Sequence, residues 1–257
     1  MESPFTEILL FTAGLIGGAL NTLAGGGSFV VFPALWLAAG LPPIAANASN
    51  TYAALPGYIS GAVGFRREIV KHRDKLWLYT VVSLVFGWLG AELLLRVSND
   101  QFELAVPWLM AFAVAAFAFG GPLNRWLAAR SGSGGRLLGT ALLLMLLAAI
   151  CLYGGFFNAG LGIMLLAFFA LAGFTDIHAM NGLKLWISSL IAVVAVIRFA
   201  FDGAIAWYEG SIALVGVTIG GYAAARIAYM IPTIAIRALV IVYGIGMTAY
   251  FFWAAYG

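Results

Sequence analysis

The sequence predicts an all-α polytopic membrane protein with about eight membrane helical segments. Of its 257 residues, 63% are hydrophobic and 9% are charged, which is too apolar a composition for a soluble domain of this size. A polar, glycine-rich interruption occurs twice in this apolar background, at residues 17–28 and 154–162. The duplication predicts two repeats, each with a broken helix or hairpin after its first helix.

Apolar runs in each half of the chain mark the candidate helices. They are residues 5–24, 29–39, 45–65, 76–95 and 105–121, followed by 137–153, 163–171, 179–201, 207–227 and 235–256. A helix needs about 20 residues to cross the hydrocarbon core. The runs at 29–39 and 163–171 are too short for a full crossing, so both are predicted to be half-helices or hairpin segments.

Positive charge is concentrated in one set of loops. Basic residues cluster at 66–75, at 124–136 and around 226–237, whereas Asp and Glu dominate the loops at 100–103 and 202–209. Cytoplasmic loops of membrane proteins carry the excess of Lys and Arg. The basic loops are therefore predicted to be cytoplasmic, which puts both chain termini on the outer side.

This topology divides the chain into two oppositely oriented units. Residues 1–123 form the first membrane repeat, residues 124–136 are a cytoplasmic linker, and residues 137–257 form the second membrane repeat. Each repeat makes an odd net number of crossings, so the second is inserted in the opposite sense to the first. Inverted repeats place a substrate site near the bilayer midplane, where helices are interrupted.

Three stretches carry a family resemblance. Residues 24–28 read Ala-Gly-Gly-Gly-Ser, a Pro-Pro turn at 42–43 precedes an Ala-x-x-x-Ser-Asn helix start, and residues 173–184 read Gly-Phe-Thr-Asp-Ile-His-Ala-Met-Asn-Gly-Leu-Lys. Together they resemble the TauE/SafE family of sulfite and organosulfonate exporters. The last stretch is similar to the family's Asp-x-His-x-x-Asn-Ala-Leu-Lys pattern, with Gly182 in place of the Ala, while Asn158 stands where a glycine is more usual.

The resemblance extends over both halves of the chain and implies a secondary transporter. Its substrate would be a small sulfur-containing or carboxylate anion, of the sulfite, thiosulfate or organosulfonate type. Transport would be across the cell inner membrane and coupled to protons or another ion. An anion channel or an uncoupled permease is the alternative, and an intramembrane enzyme is less favoured.

The residues also give a physical reason for anion binding. A broken helix has free N–H groups at its new N-terminus, where the helix dipole favours negative charge. We name residues 25–28 the first break and residues 160–162 the second break. The substrate-binding candidates at or beside the two breaks are Asn21, Gly25, Gly26, Gly27, Ser28, Ser49, Asn50, Asn158, Gly160, Gly162, Asn181 and Lys184.

Several candidates have a second interpretation. Lys184, a cation within a membrane helix, either faces an anion or extends along its own stem to the interface. Intramembrane amides and hydroxyls either bind substrate or only bond neighbouring helices. Asp176 and His178 are proton-coupling candidates, since an imidazole can carry a proton, whereas the alternative for Asp176 is an ordinary helix cap. Most other glycines, such as Gly18 and Gly90, are predicted to let helices approach closely.

The sequence contains few of the residues and motifs that a catalytic or metal site requires. The chain has two His and one Cys, and neither Gly-x-Ser-x-Gly nor His-Glu-x-x-His occurs, so no protease site or multi-histidine metal site is predicted. The protein is predicted not to be an enzyme and to need no cofactor. Its expected partners are the small anion and the lipid bilayer, without nucleic acid, and a homodimer is left open.

Overall fold

The computed structural model describes residues 4–131, 139–227 and 233–257. Every regular element in these ranges is helical. The helices are α1 (Pro4–Ala24), α2 (Ser28–Pro33) with a π-helical turn (Ala34–Ala38), α3 (Pro43–Gly64), α4 (Arg66–Val70), α5 (Arg73–Arg96), α6 (Asn99–Ser131), α7 (Thr140–Phe156), α8 (Leu161–Leu171), α9 (Ile177–Phe201), α10 (Trp207–Ile227) and α11 (Thr233–Tyr256).

The predicted fold class, an all-α polytopic membrane protein, is confirmed. Among the described residues, five helical stretches are long and apolar enough to cross a membrane. They are Pro4–Leu23, Arg73–Arg96, Asn99–Phe119, Ile177–Phe201 and Ala238–Tyr256. Large apolar side chains such as Trp77 and Trp253 are exposed on the outside of the bundle, as lipid-facing residues are. The count of eight segments and the inverted repeats remain predictions.

Both breaks interrupt a helix at a glycine in the left-handed region. After α1, the chain turns at Gly25 with φ +82°, and the short α2 begins three residues later. After α7, the chain turns at Gly160 with φ +79°, which is the N-cap of the short α8. Side chains with a Cβ are strained in this region, so the two turns require glycine. The short helices therefore follow breaks, as the run lengths predict.

Contacts between helix ends define two opposite faces of the bundle. On the terminal face, the Tyr208 hydroxyl donates to Glu7 Oε1 at 2.6 Å and Trp108 Nε1 donates to the Tyr256 hydroxyl at 3.1 Å, so both chain ends lie there. On the basic-loop face, the rings of Phe65 and His178 stack, with centroids 6.4 Å apart. The loop after α3 thus lies on the face opposite to both termini. The assignment of the basic-loop face to the cytoplasm remains a prediction.

Glycines let pairs of helices pack with their backbones in contact. Helix α1 packs on α10, and α5 packs on α7. A Cβ at Gly18 would overlap the carbonyl oxygen of Val217, and one at Gly90 would overlap that of Leu152. The predicted packing role of these glycines is confirmed. Each pair joins a helix of one predicted repeat to a helix of the other, so the two units interlock.

The first part of the predicted linker is helical. Helix α6 continues to Ser131, so residues 124–131, predicted as linker, are helical. Leu, Ala and Arg in this stretch are good helix formers, and the glycine-rich sequence starts only at Gly132. The remainder of the linker, residues 132–136, lies outside the described residues. The repeat boundaries remain predictions.

Candidate anion-binding site at the two helix breaks

The first break presents backbone N–H donors that no backbone carbonyl of the described residues accepts from. The carbonyl oxygens of Gly26 and Gly27 accept from the next turn of α2, but within the described residues the N–H groups of Gly27 and Ser28 donate to no backbone carbonyl. No side chain caps this end of α2. Free N–H groups at a helix start favour a negatively charged ligand.

A small cavity lies against these donors. Its polar lining comes from Asn21, Gly27, Ser28 and Asn50, and no charged side chain lines it. Its volume of about 10 Å³ is about that needed for one water molecule. An anion of the size of sulfite needs more room, so the cavity must widen before such an anion can enter.

Asn50 is the most unusual residue of this lining. It is only 2% exposed, and it lies in the wall of the cavity. Buried polar side chains are normally hydrogen-bonded because leaving one unpaired is costly. A buried amide in the wall of a polar cavity is therefore placed where a ligand or water can bind it.

Helix α3 approaches both breaks with consecutive residues. A Cβ at Gly57 would lie 4.0 Å from Asn21 Nδ2, beside the first break. The hydroxyl of the next residue, Tyr58, donates to Asn158 Oδ1 at 3.3 Å, beside the second break. The two asparagines occupy equivalent places in the duplicated sequence, so α3 lies between matching parts of the two breaks.

A buried amide with an unpaired nitrogen lies beside the second break. Asn158 is 3% exposed, and its Nδ2 has no hydrogen-bonding partner among the described residues. Just beyond it, the N–H of Gly162 donates to no backbone carbonyl of the described chain. The loop itself is held in place because the Tyr153 hydroxyl donates to the Ala159 carbonyl at 2.9 Å. The break is therefore fixed in shape but retains unused donors.

Lys184 reaches the second break from α9. A Cβ at Gly162 would lie 3.4 Å from Lys184 Cδ, so the lysine stem runs along the start of α8. Its Nζ donates to Asn181 Oδ1 at 3.0 Å, and Asn181 Nδ2 in turn donates to the Ile177 carbonyl at 3.0 Å. Both ends of the Asn181 amide are thus in use, so Asn181 orients the lysine. Within the described chain no carboxylate pairs with Lys184.

Two other candidates lie away from the cavity. A Cβ at Gly26 would be 2.7 Å from Val240 Cγ1 of α11, so this glycine faces a packing contact. The Ser49 hydroxyl accepts from the N–H of Ala206 at 2.9 Å, just before α10. Gly26 and Ser49 therefore position the helices around the site, and the cavity lining includes neither.

Asp176 and His178 lie at the exposed start of α9. The Asp176 carboxylate accepts from the N–H of His178 at 2.9 Å, which confirms the predicted helix cap. Both side chains are exposed on the basic-loop face. The structure thus separates these two residues from the cavity at the first break.

The sequence interpretation missed Tyr58 as a site residue. Tyr58 stands in an apolar helical run, where an aromatic residue is expected in any membrane helix, so no local pattern marks it. Asn47, which is also absent from the sequence candidates, belongs to this region as well. Its Nδ2 donates to the Phe156 carbonyl at 2.9 Å, and its Oδ1 has no partner in the described part of the chain.

A separate charged network joins α5 to α9 near the terminal face. Glu92 bonds Arg96 at 2.9 Å through one carboxylate oxygen and Arg198 at 2.6 Å through the other. Arg198 also pairs with Asp202 at 3.4 Å. Because these charges compensate one another, the network is better suited to join helices than to bind a substrate.

The fold and the site together define a class of protein. Long apolar helices cross the membrane, short half-helices begin at the two breaks, a polar cavity lies at the first break, and among the described residues a buried amide beside the second break has an unused donor. These are features of multi-pass membrane transporters. The chain matches the family described as Sulfite exporter TauE/SafE over residues 10–251, and it belongs to that family.

Curated relatives cover nearly the whole chain. "Probable membrane transporter protein YfcA" of Escherichia coli K12 is 28% identical over 259 residues, which cover 100% of this chain and 93% of that protein. "Probable membrane transporter protein" of Haemophilus influenzae is 27% identical, over 94% of this chain and 92% of that protein. "Probable membrane transporter protein ORF9" of Sinorhizobium sp is 30% identical, over 93% and 89%. No solved structure matches the chain.

Proposed function

We propose that this protein is a secondary transporter that moves a small sulfur-containing or carboxylate anion across the cell inner membrane. The substrate is of the sulfite, thiosulfate or organosulfonate type, and its movement is coupled to a gradient of protons or another ion. The family description names sulfite export. The unused hydrogen-bond donors of the two breaks add a physical reason that is specific to this chain.

The observation that carries the proposal is the set of unpaired groups at the first break. The N–H groups of Gly27 and Ser28 have no backbone acceptor among the described residues, and the buried amide of Asn50 lies in the wall of the same cavity. An oxyanion offers only acceptors, so it satisfies such donors. A cation would be disfavoured there, because it would face N–H groups and the positive end of a helix dipole.

Lys184 supplies the positive charge that these neutral donors lack. Its ammonium has three donors, and the described contacts use one of them, to Asn181. A charge inside a membrane helix is costly unless an anion or a water-filled cavity faces it. We therefore assign the ammonium to the transported anion, with Asn181 as the residue that orients it.

Coupling involves the start of α9. His178 carries an imidazole, a side chain that commonly transfers protons, and it lies six residues before Lys184 on the same helix. Asp176 caps this helix through the His178 N–H. We propose that a coupling proton binds to these two residues, at the exposed start of α9 and away from the cavity at the first break.

Transport by purified protein in proteoliposomes tests the function. Sulfite, thiosulfate, a short sulfonate and acetate are each offered at equal concentration on both sides, and a proton or sodium gradient is then imposed. A coupled transporter accumulates its substrate only while the gradient lasts, whereas an anion channel or uncoupled permease leaves the concentrations equal in the absence of a membrane potential. Failure of every anion to move would contradict the proposal.

A further inference from the structure

A buried hydrogen bond links the middle of α3 to the loop before α8. Tyr58 is 8% exposed and Asn158 is 3% exposed. The Tyr58 hydroxyl donates to Asn158 Oδ1 at 3.3 Å, which occupies the acceptor end of this amide. The donor end, Nδ2, has no partner among the described residues.

The unused hydrogen-bonding capacity around the second break consists mainly of donors. They are the Asn158 amide nitrogen, the Gly162 N–H and the two N–H groups of the Lys184 ammonium that Asn181 does not bind. An amide side chain carries an acceptor and two donors. Asn158 contributes donors here because Tyr58 occupies its acceptor.

We infer that Tyr58 is a positioning residue for the transported anion: its hydroxyl holds the Asn158 amide with the NH₂ group free to bind an oxyanion. The inference rests on the proposed function and adds a residue to its binding site. Without the hydroxyl, Asn158 Oδ1 would be left buried and unpaired whenever the NH₂ group bound an anion. That cost of an unpaired buried acceptor would appear as weaker anion binding.

A double-mutant cycle on anion binding tests the inference. The full-length protein in detergent is titrated by calorimetry with sulfite or thiosulfate, whichever the parent binds. Tyr58→Phe keeps the ring and removes only the hydroxyl, so we expect Kd to rise about twofold to tenfold, the worth of one neutral hydrogen bond. Asn158→Ala raises Kd by a similar factor. Adding Tyr58→Phe to Asn158→Ala has no further effect, because no amide remains to be held.

Tyr52→Phe is the matched control on the same helix. The Tyr52 hydroxyl lies 3.3 Å from Ser211 Oγ, as far as the Tyr58 hydroxyl lies from Asn158 Oδ1. Ser211 is outside both breaks, so Tyr52→Phe should bind the anion as the parent does. Thermal unfolding of all variants separates binding from loss of folding.

The outcomes distinguish this inference from the proposed function. Equal Kd values for the parent and Tyr58→Phe, or the same fold-change from Tyr58→Phe with and without Asn158, overturn the positioning role alone. A parent that binds no anion of the panel overturns both proposals.

Discussion

Polar side chains of similar type have different roles at this site because their hydrogen-bonding partners differ. Asn181 uses both ends of its amide, whereas Asn158 uses only its acceptor. Ser28 lines the cavity, whereas the Ser49 hydroxyl accepts from the backbone before α10. A residue's binding role therefore depends on the bonds it still has available, which the amino-acid type does not reveal.

The two serines give a matched prediction. Ser28→Ala removes a hydroxyl from the cavity wall, so we expect anion Kd to rise about twofold to tenfold with little change in thermal stability. Ser49→Ala removes a structural bond, so it should lower the free energy of unfolding by about 0.5–1.5 kcal/mol and leave Kd unchanged. Calorimetry and thermal denaturation of both variants check this. If Ser49→Ala weakened anion binding more than Ser28→Ala, the assignment of the two hydroxyls would be wrong.

The sequence indicates where the site lies but not which of its residues bind. The glycine breaks and nearby amides are visible in sequence because they interrupt apolar runs. The contact of Tyr58 with Asn158 joins residues a hundred positions apart, and only the packing of α3 beside the second break brings them together. Gly26 has the same appearance in sequence as Gly27, yet one faces α11 and the other lines the cavity.

At the scale of elements, helix positions follow closely from the apolar runs. The predicted run at 207–227 coincides with α10, and that at 163–171 falls within α8 (Leu161–Leu171). The run predicted at 105–121 ends before α6 does, because polar residues follow at Asn124 and Arg125, whereas the helix continues to Ser131. Hydropathy records the extent of the apolar run, and helix propensity lets a helix continue past it.

The contact between the first break and α11 gives a prediction for an element pair. Gly26 does not have a positive φ, so a side chain there is opposed by its neighbours, and most closely by Val240, whose Cγ1 would lie 2.7 Å from the added Cβ. Gly26→Val should lower the free energy of unfolding by about 1–3 kcal/mol through overpacking. In a Val240→Ala background the loss should be smaller, because the clashing methyl group is gone. Strictly additive losses in thermal denaturation would show that this contact is not the cause.

The whole molecule is held together by helix pairs that cross between the predicted repeats. Besides α1 with α10 and α5 with α7, α3 packs on α9 and α6 packs on α11. In the predicted repeats, α1 corresponds to α7, α3 to α9, α5 to α10 and α6 to α11. If each helix is replaced by its counterpart, the α1–α10 pair becomes the α7–α5 pair, whereas the α3–α9 and α6–α11 pairs stay the same. This arrangement is what an inverted repeat would produce. The repeat relation and the homodimer stay predictions, since the first needs a superposition and the second an assembly measurement.

Membrane orientation gives a prediction at the same scale. Cysteines are introduced one at a time in a Cys151→Ser background, as Asp100→Cys at the start of α6 and as Lys71→Cys in the basic loop. An impermeant thiol reagent added to intact cells should label the first site, and should label the second only after permeabilisation, because basic loops stay in the cytoplasm. Labelling of Lys71→Cys in intact cells would reverse the orientation.

The most direct measurement of the central claim, that the breaks and Lys184 bind the anion together, is the affinity of Lys184→Ala for sulfite or thiosulfate. A charged partner contributes about 1.5–3 kcal/mol, so calorimetry on folded protein in detergent should show Kd raised about tenfold to 150-fold or binding abolished. Lys184→Arg should retain only part of the parent's affinity for the anion, because a forked guanidinium does not replace a compact ammonium. Lys71→Ala, which removes an exposed lysine paired with Glu68, should bind as the parent does. If Lys184→Ala also binds as tightly as the parent, the lysine merely extends to the interface and the anion site lies elsewhere.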